Sequence, residues 1–384
     1  MTGLRFDEAD LLAEARAATG LSDFGSGHRD GLCMLLRTTL ENSFHDHGRA
    51  RNRRQLVRML VTRLRVLDAL RRHPEIRERP IRRPWFLTGM PRSGTSALFN
   101  LLAVDPSARA LRNWEARIPE PLEGQAPGEP DPRRAALAAS YERGRARHPE
   151  FAVIHDTSVD TPEECVLLQA SSFHGVQSGV EVMLEPYASW YRRQPLDGLY
   201  AYYADLLRLL DWQRPGERWL LKSPAHLWGI RELVATFPDA AIVWSHRDPV
   251  VSIASVCSMT HLLMSAWMEV DARDLGPRVL DFYATSLERG LAARAACDPQ
   301  RFVDVTHDEI AGDPLAVVAR IYQRFGRLLE PPVRAAIEDY ARAHPKGLHG
   351  EHAYRLEDYG LTPEMVRERF AAYAVRFGIR GDPG

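Results

Sequence analysis

No run of about 18 apolar residues, the length a membrane-spanning helix needs, occurs in the sequence. Cysteine is scarce: four residues, at positions 33, 165, 257 and 297, with no Cys-x-x-Cys pair and no metal-ligand spacing. A disulfide framework and a zinc site are therefore not expected, and reduced thiols in a cytoplasmic protein are. Net charge is also missing. Lys and Arg total 50 against 51 Asp and Glu, a formal charge of −1, so the chain as a whole makes no case for a nucleic-acid partner. The first residues, Met1 to Glu8, have neither the basic start nor the apolar core of a secretion signal. No internal repeat or low-complexity tract is evident. What remains is the composition of a globular protein, 45% hydrophobic and 26% charged over 384 residues. That length exceeds one typical domain, although α/β folds of this size can share a single core.

The most informative stretch runs from Trp85 to Leu102. Trp85, Phe86 and Leu87 form a short apolar run of strand formers and read as a buried strand. Gly89, Pro91 and Gly94 break it and allow a tight turn. A helix follows, with Leu98, Leu101 and Leu102 on its apolar face and Thr95 placed to cap it. Strand, Gly-containing loop and helix N-terminus together cradle an anion, because backbone N–H groups and the helix dipole point into the loop. Arg92, Ser93, Thr95 and Ser96 add side-chain donors. A nucleoside-triphosphatase loop would need a Lys directly after Gly94. Thr95 stands there instead.

Upstream, residues 1–80 read as a helical extension. Leu11, Leu12, Ala15 and Ala18 recur at helical spacing, as do Leu56, Met59, Leu60, Leu64 and Leu67. Arg49, Arg51, Arg53, Arg54 and Arg58 share this segment and read first as a solvated helix face, with a polyanion or lipid-headgroup patch as the alternative. Downstream, residues 119–132 are rich in Pro, Gly and Glu and read as a surface loop. Residues 173–203 are crowded with aromatics, a pattern that fits either core packing or an apolar acceptor pocket. Strands are expected at Trp219–Leu221, Ala240–Trp244 and Phe302–Val305, each followed by a helix. The fold class is therefore α/β: a P-loop-like parallel sheet flanked by helices. Ligands in such sheets bind at the carboxyl ends of strands. The Gly89–Ser96 loop, Lys222 and Arg247 all fall at such ends.

The Pro91-Arg-Ser-Gly-Thr95 loop resembles the 5′-phosphosulfate loop of sulfotransferases, in particular the bacterial and tyrosylprotein branches. Ala241 to Ser255 is similar to that family's 3′-phosphate segment, an Arg at a strand end and a Ser eight residues later, here Arg247 and Ser255. Lys346 and Gly347 resemble the Lys-Gly pair that touches the same phosphate. His307 to Leu315 resembles the family's "YEDL…DP" element, with His307 where Tyr is usual. The resemblance spans roughly residues 84–378 and makes residues 81–384 the sulfotransferase domain. It implies 3′-phosphoadenosine 5′-phosphosulfate (PAPS) as donor, held by Pro91 to Ser96, Arg247, Ser255, Lys346 and Gly347. It also implies a hydroxyl or amine acceptor on a small molecule or lipid, with no metal required.

Sulfuryl transfer builds charge on the oxygen of the departing nucleotide, so a cation belongs beside it. Lys222 is expected in that role, with Arg92 assisting. A base must take the acceptor's proton. Asn113-Trp-Glu-Ala-Arg-Ile-Pro119 resembles the family stretch whose Glu is the base and whose Arg assists, which implies Glu115 as base and Arg117 beside the substrate. His155, His226 and His246 are rivals for the base. Glu163 and Glu164 read first as acids at a helix start, with an acceptor-site role second. Two other readings stay open: a nucleotide kinase or NTPase, and a non-catalytic nucleotide-binding module. A homo-oligomer is compatible with the sequence.

Overall fold

The computed structural model describes residues 6–121, 131–147, 158–176, 180–344 and 355–379. Three helices lead, α1 (Glu8–Thr19), α2 (Arg29–Glu41) and α3 (Asp46–Arg72). Then come β1 (Trp85–Gly89), α4 (Thr95–Leu102), β2 (Ala108–Ala110), α5 (Asn113–Arg117) and α6 (Cys165–Gln169). A long helix α7 (Asp197–Gln213) precedes β3 (Arg218–Lys222) and β4 (Ala241–His246). Helices α8 (Pro249–Ser265) and α9 (Ala272–Ala295) lead to β5 (Phe302–Thr306). Further helices, among them Pro132–Arg147 and Pro331–Ala343, make up the rest of the described elements.

The five strands form one parallel sheet in the order β2-β3-β1-β4-β5. Every residue of β1, β3 and β4 is buried, as expected for strands covered on both faces. Because side chains alternate along a strand, the sheet feeds two separate cores. Phe86, Leu221, Ile242 and Trp244 point into one, which they share with Leu11, Leu32 and Leu60 of the N-terminal helices. Trp85, Leu87, Leu220 and Val243 point into the other, with Leu98, Leu102, Val318 and Ile321. Residues 6–80 thus pack into the same core as the sheet rather than around one of their own.

Most aromatics of residues 173–203 are core. Phe173, Tyr187, Tyr191, Tyr200 and Tyr203 are each at most 2% exposed. The acceptor-pocket reading of that stretch does not hold for these five side chains.

Strand register sets the site. Leu87 pairs with Lys222 and Gly89 with Ser245, so the ends of β1, β3 and β4 open on one side of the sheet. Gly89 has φ 145, and a Cβ there would lie 2.4 Å from the carbonyl oxygen of Ser245. Only Gly lets the two backbones approach this closely.

Candidate active site

The loop after β1 turns through two left-handed residues, Arg92 at φ 68 and Gly94 at φ 87. An Arg in that conformation is strained, and such strain concentrates at functional sites. The Ser93 hydroxyl pins the turn, contacting the Met90 carbonyl and Ser245 Oγ at 2.6 Å each. Gly94, not Thr95, is the N-cap of α4, and no side chain caps the helix. The left-handed turn has moved the helix start by one residue and left its first amides without a side-chain acceptor. That is the donor set a phosphate or sulfate oxygen takes. The phosphosulfate end of PAPS therefore fits the loop. Arg92 and Ser96 are exposed beside it, while Ser93 and Thr95 are buried.

Strand β3 delivers Lys222 to this loop. Its side chain is 5% exposed, with Nζ 3.0 Å from Ser96 Oγ and 2.5 Å from Glu164 Oε1. Only two lysines occur in the whole chain, Lys222 and Lys346, where arginine otherwise carries the positive charge. A lysine kept here fits a demand for a compact, mobile ammonium rather than a planar fork. Glu164 is the N-cap of α6 and is about one-third exposed. Its neighbour Glu163 turns back on the chain and accepts from the Glu164 N–H at 2.8 Å. The two adjacent acids thus have different surroundings, and Glu164 alone meets the lysine.

Glu115, expected as the base, is held in a buried ion-pair cluster. It is 1% exposed, and both oxygens are occupied. Arg109 donates to Oε1 and Oε2 at 2.9 Å each, Arg214 donates to them at 3.0 and 3.1 Å, and the Arg112 N–H adds a bond of 3.0 Å. Burial pushes the pKa of this carboxyl up, but Arg109 and Arg214 outweigh it and hold it below the usual carboxylate range. Arg109 comes from β2, a three-residue Ala-Arg-Ala edge strand with no apolar run to announce it. Arg117 is exposed and hydrogen-bonds Asn113 Oδ1 at 2.8 Å, away from Glu115.

Two of the histidine candidates are enclosed as well. His226 is 1% exposed, with Nδ1 2.8 Å from the Tyr200 hydroxyl, and burial pushes its pKa down to about 3. His246 is also buried, held by Asp304 at 2.9 Å and Tyr373 at 3.1 Å. His155, Lys346 and Gly347 lie outside the described residues.

On the other flank, Arg247 leaves the end of β4 and donates through Nη1 to the Arg92 carbonyl at 2.8 Å, bracing the strained residue of the loop. Asp248 caps α8 by accepting from the Val250 N–H, with Pro249 first in the helix. Ser255 sits two turns further on, 8% exposed. His307, at the end of β5, lies over the loop: a Cβ on Gly94 would be 3.6 Å from its ring. Among the described residues no group of three His, Cys, Asp or Glu could hold a metal ion. No helix among them is long and apolar enough to cross a membrane.

A family model described as "Sulfotransferase family" matches residues 84–331. The chain belongs to the sulfotransferase family. This sulfotransferase is similar over nearly its full length to two solved structures. It is 34% identical to sulfotransferase STF1 from Mycobacterium tuberculosis H37Rv, with a TM-score of 0.84, covering 95% of this chain and 98% of that one. It is 29% identical to sulfotransferase STF9 from Mycobacterium avium, with a TM-score of 0.88 and 99% of each chain covered. Among curated relatives it is 26% identical over 168 residues to the omega-hydroxy-beta-dihydromenaquinone-9 sulfotransferase Stf3 of Mycobacterium bovis and Mycobacterium tuberculosis. That match takes in 41% of this chain and 40% of the relative. The family's donor is PAPS, and the uncapped start of α4 fits its phosphosulfate. The kinase reading, which asks for a loop lysine, is not favoured.

Proposed function

We propose that this sulfotransferase moves a sulfuryl group from PAPS to a hydroxyl of a small-molecule or lipid acceptor, with Glu164 as base and Lys222 as the cation at the leaving oxygen. The observation that carries the reading is the contact of Lys222 Nζ with both Glu164 and the phosphate-loop residue Ser96. When bound, PAPS supplies the sulfuryl group and a nucleotide able to leave with negative charge.

Lys222 and Glu164 neutralise each other in the free enzyme. An anion on the loop competes for the ammonium, and each step that draws Lys222 towards the loop frees the Glu164 carboxylate to accept a proton. The exposed Arg92, the α4 amides and Ser96 would bind the phosphosulfate oxygens. Arg247 and Ser255, followed by Lys346 and Gly347, would take the 3′-phosphate. The Stf3 relative is named for omega-hydroxy-beta-dihydromenaquinone-9, which supports a hydroxyl acceptor of lipid or small-molecule class here. The four free thiols suit a cytoplasmic location.

Single-turnover sulfation tests the pair. Glu164→Gln should slow transfer by about 10²–10⁴-fold. Affinity for 3′-phosphoadenosine 5′-phosphate (PAP) should hold or rise, because Lys222 loses its competitor. Lys222→Ala should slow transfer and be partly rescued by donors with better leaving groups. A Glu164→Gln enzyme with a near-normal rate would remove the base assignment.

A further inference from the structure

The arginine row of α3 is not uniform. Arg53 pairs with Glu14 at 2.6 Å, but Arg51 and Arg58 lie on another stripe of the helix, with Gln55 and Thr62 between and beyond them. Spacings of four, three and four residues put all four on one face. That face lines a pocket of about 120 Å³, and Arg117 at the end of α5 lines it too. Met59, Leu167 and Leu168 give it an apolar lining.

None of the three arginines forms an ion pair among the described residues. Arg58 makes no hydrogen bond there either. Crowding by protein atoms, then the charges of Arg117 and Arg51, hold the Arg58 pKa below its ordinary value. One acid that acts on Arg58, Glu120, is buried, and its Oε1 meets Arg65 at 3.5 Å and the Thr62 hydroxyl at 3.4 Å. Glu181 acts on Arg51, which is also stacked over Trp267 at 4.4 Å. Three cations around an apolar pocket repel one another until an anion enters, and planar guanidinium groups match carboxylate and phosphate oxygens.

The pocket also lies close to the proposed chemistry. Glu164 caps the start of α6, and Leu168 in the pocket wall is four residues along it, about 6 Å at 1.5 Å per residue. The donor's phosphates are accounted for elsewhere, at the loop after β1 and beyond β4.

We infer that Arg51, Arg58 and Arg117 form an acceptor subsite for an anionic group, so that the acceptor is an acid carrying its reactive hydroxyl at some distance from a carboxylate or phosphate. This rests on the reading of Glu164 and Lys222 as the reaction centre. The anion holds one end of the acceptor, the apolar lining holds the chain next to it, and the hydroxyl is left to reach Glu164.

The test uses ω-hydroxydodecanoate and its methyl ester, which differ only in the charge at the far end. Calorimetry on the PAP-loaded enzyme should show the acid binding at least about tenfold more tightly than the ester. Arg58→Gln and Arg117→Gln should each reduce that ratio, and the double variant should bring it close to one. The ester's own Kd reports whether the variants are folded. ω-Hydroxydodecyl phosphate in place of the acid separates the two sources of charge: tighter binding than the carboxylate assigns the subsite to a phosphate, weaker binding to a carboxylate. Equal affinity of acid, phosphate and ester for the wild type overturns the subsite, as does a preference that survives the double variant. Because binding is read without turnover, a charge preference in an enzyme that sulfates none of the probes would leave the subsite standing and count against the assigned reaction instead.

Discussion

Lys222 reaches Ser96 Oγ at 3.0 Å, so β3 supplies to the phosphate loop the lysine that the loop's own sequence lacks. The same ammonium meets Glu164 at 2.5 Å. Donor loop, cation and base candidate thus join through one side chain, and each can be perturbed separately.

The donor prediction concerns the 3′-phosphate. PAP should bind much more tightly than ADP, which lacks that group. Arg247→Ala should erase most of the difference, a loss of about 2–5 kcal/mol for a charge left unpaired. Part of the effect will fall on the loop, because Arg247 also braces the Arg92 carbonyl. Calorimetry giving equal affinities for the two nucleotides in the wild type would disprove the 3′-phosphate role.

Glu115→Gln should act on stability. Its carboxylate balances two guanidinium groups, one of them on a side chain 1% exposed, and removing a partner from a buried pair costs about 3–5 kcal/mol. Denaturant unfolding should show that loss, while turnover per folded molecule stays near wild type. A folded Glu115→Gln enzyme with turnover down a thousandfold would return the base to Glu115.

Acid should destabilise the protein before its carboxylates titrate. His226 is held neutral by burial, with a folded pKa of about 3 against an unfolded value near 6.5. A lowered folded pKa means the unfolded state binds the proton first. The contribution to stability is therefore complete above pH 6.5 and shrinks as pH falls towards 3. Burial lowers the pKa values of His28, His174 and His246 in the same direction. Unfolding free energy should decline through this window, and His226→Gln should flatten the slope. An identical slope in the variant would refute the assignment.

Gly94→Ala should fold but hold the donor poorly. Position 94 has φ 87, and the new Cβ would stand 3.1 Å from Ile310 Cδ1. The conformational cost is about 1 kcal/mol, and it falls on the turn that aims the α4 amides. PAP affinity should drop several-fold with little change in Tm. An unchanged affinity would show that the loop's left-handed turn is not needed for the donor.

Much of this protein is written in local patterns. The apolar runs at Trp85, Trp219, Ala241 and Phe302 each became a parallel strand, because continuous burial on both faces demands such runs. The loop from Pro91 to Ser96 and the Pro249 helix start are equally local, and turn chemistry alone marks them. What the sequence could not disclose depends on partners distant along the chain. Edge strand β2 is too short to carry a periodic signal, so Arg109 could not be placed beside Glu115, and the ion pair that buries this acid was not legible. Glu163 and Glu164 are adjacent and chemically alike, and only the packing of α6 against the end of β3 sends one to Lys222. The arginines of α3 form one row in sequence. Helix geometry assigns Arg53 to an ion pair and Arg51 and Arg58 to a pocket with Arg117, because a rotation of about 100° per residue decides what each guanidinium faces.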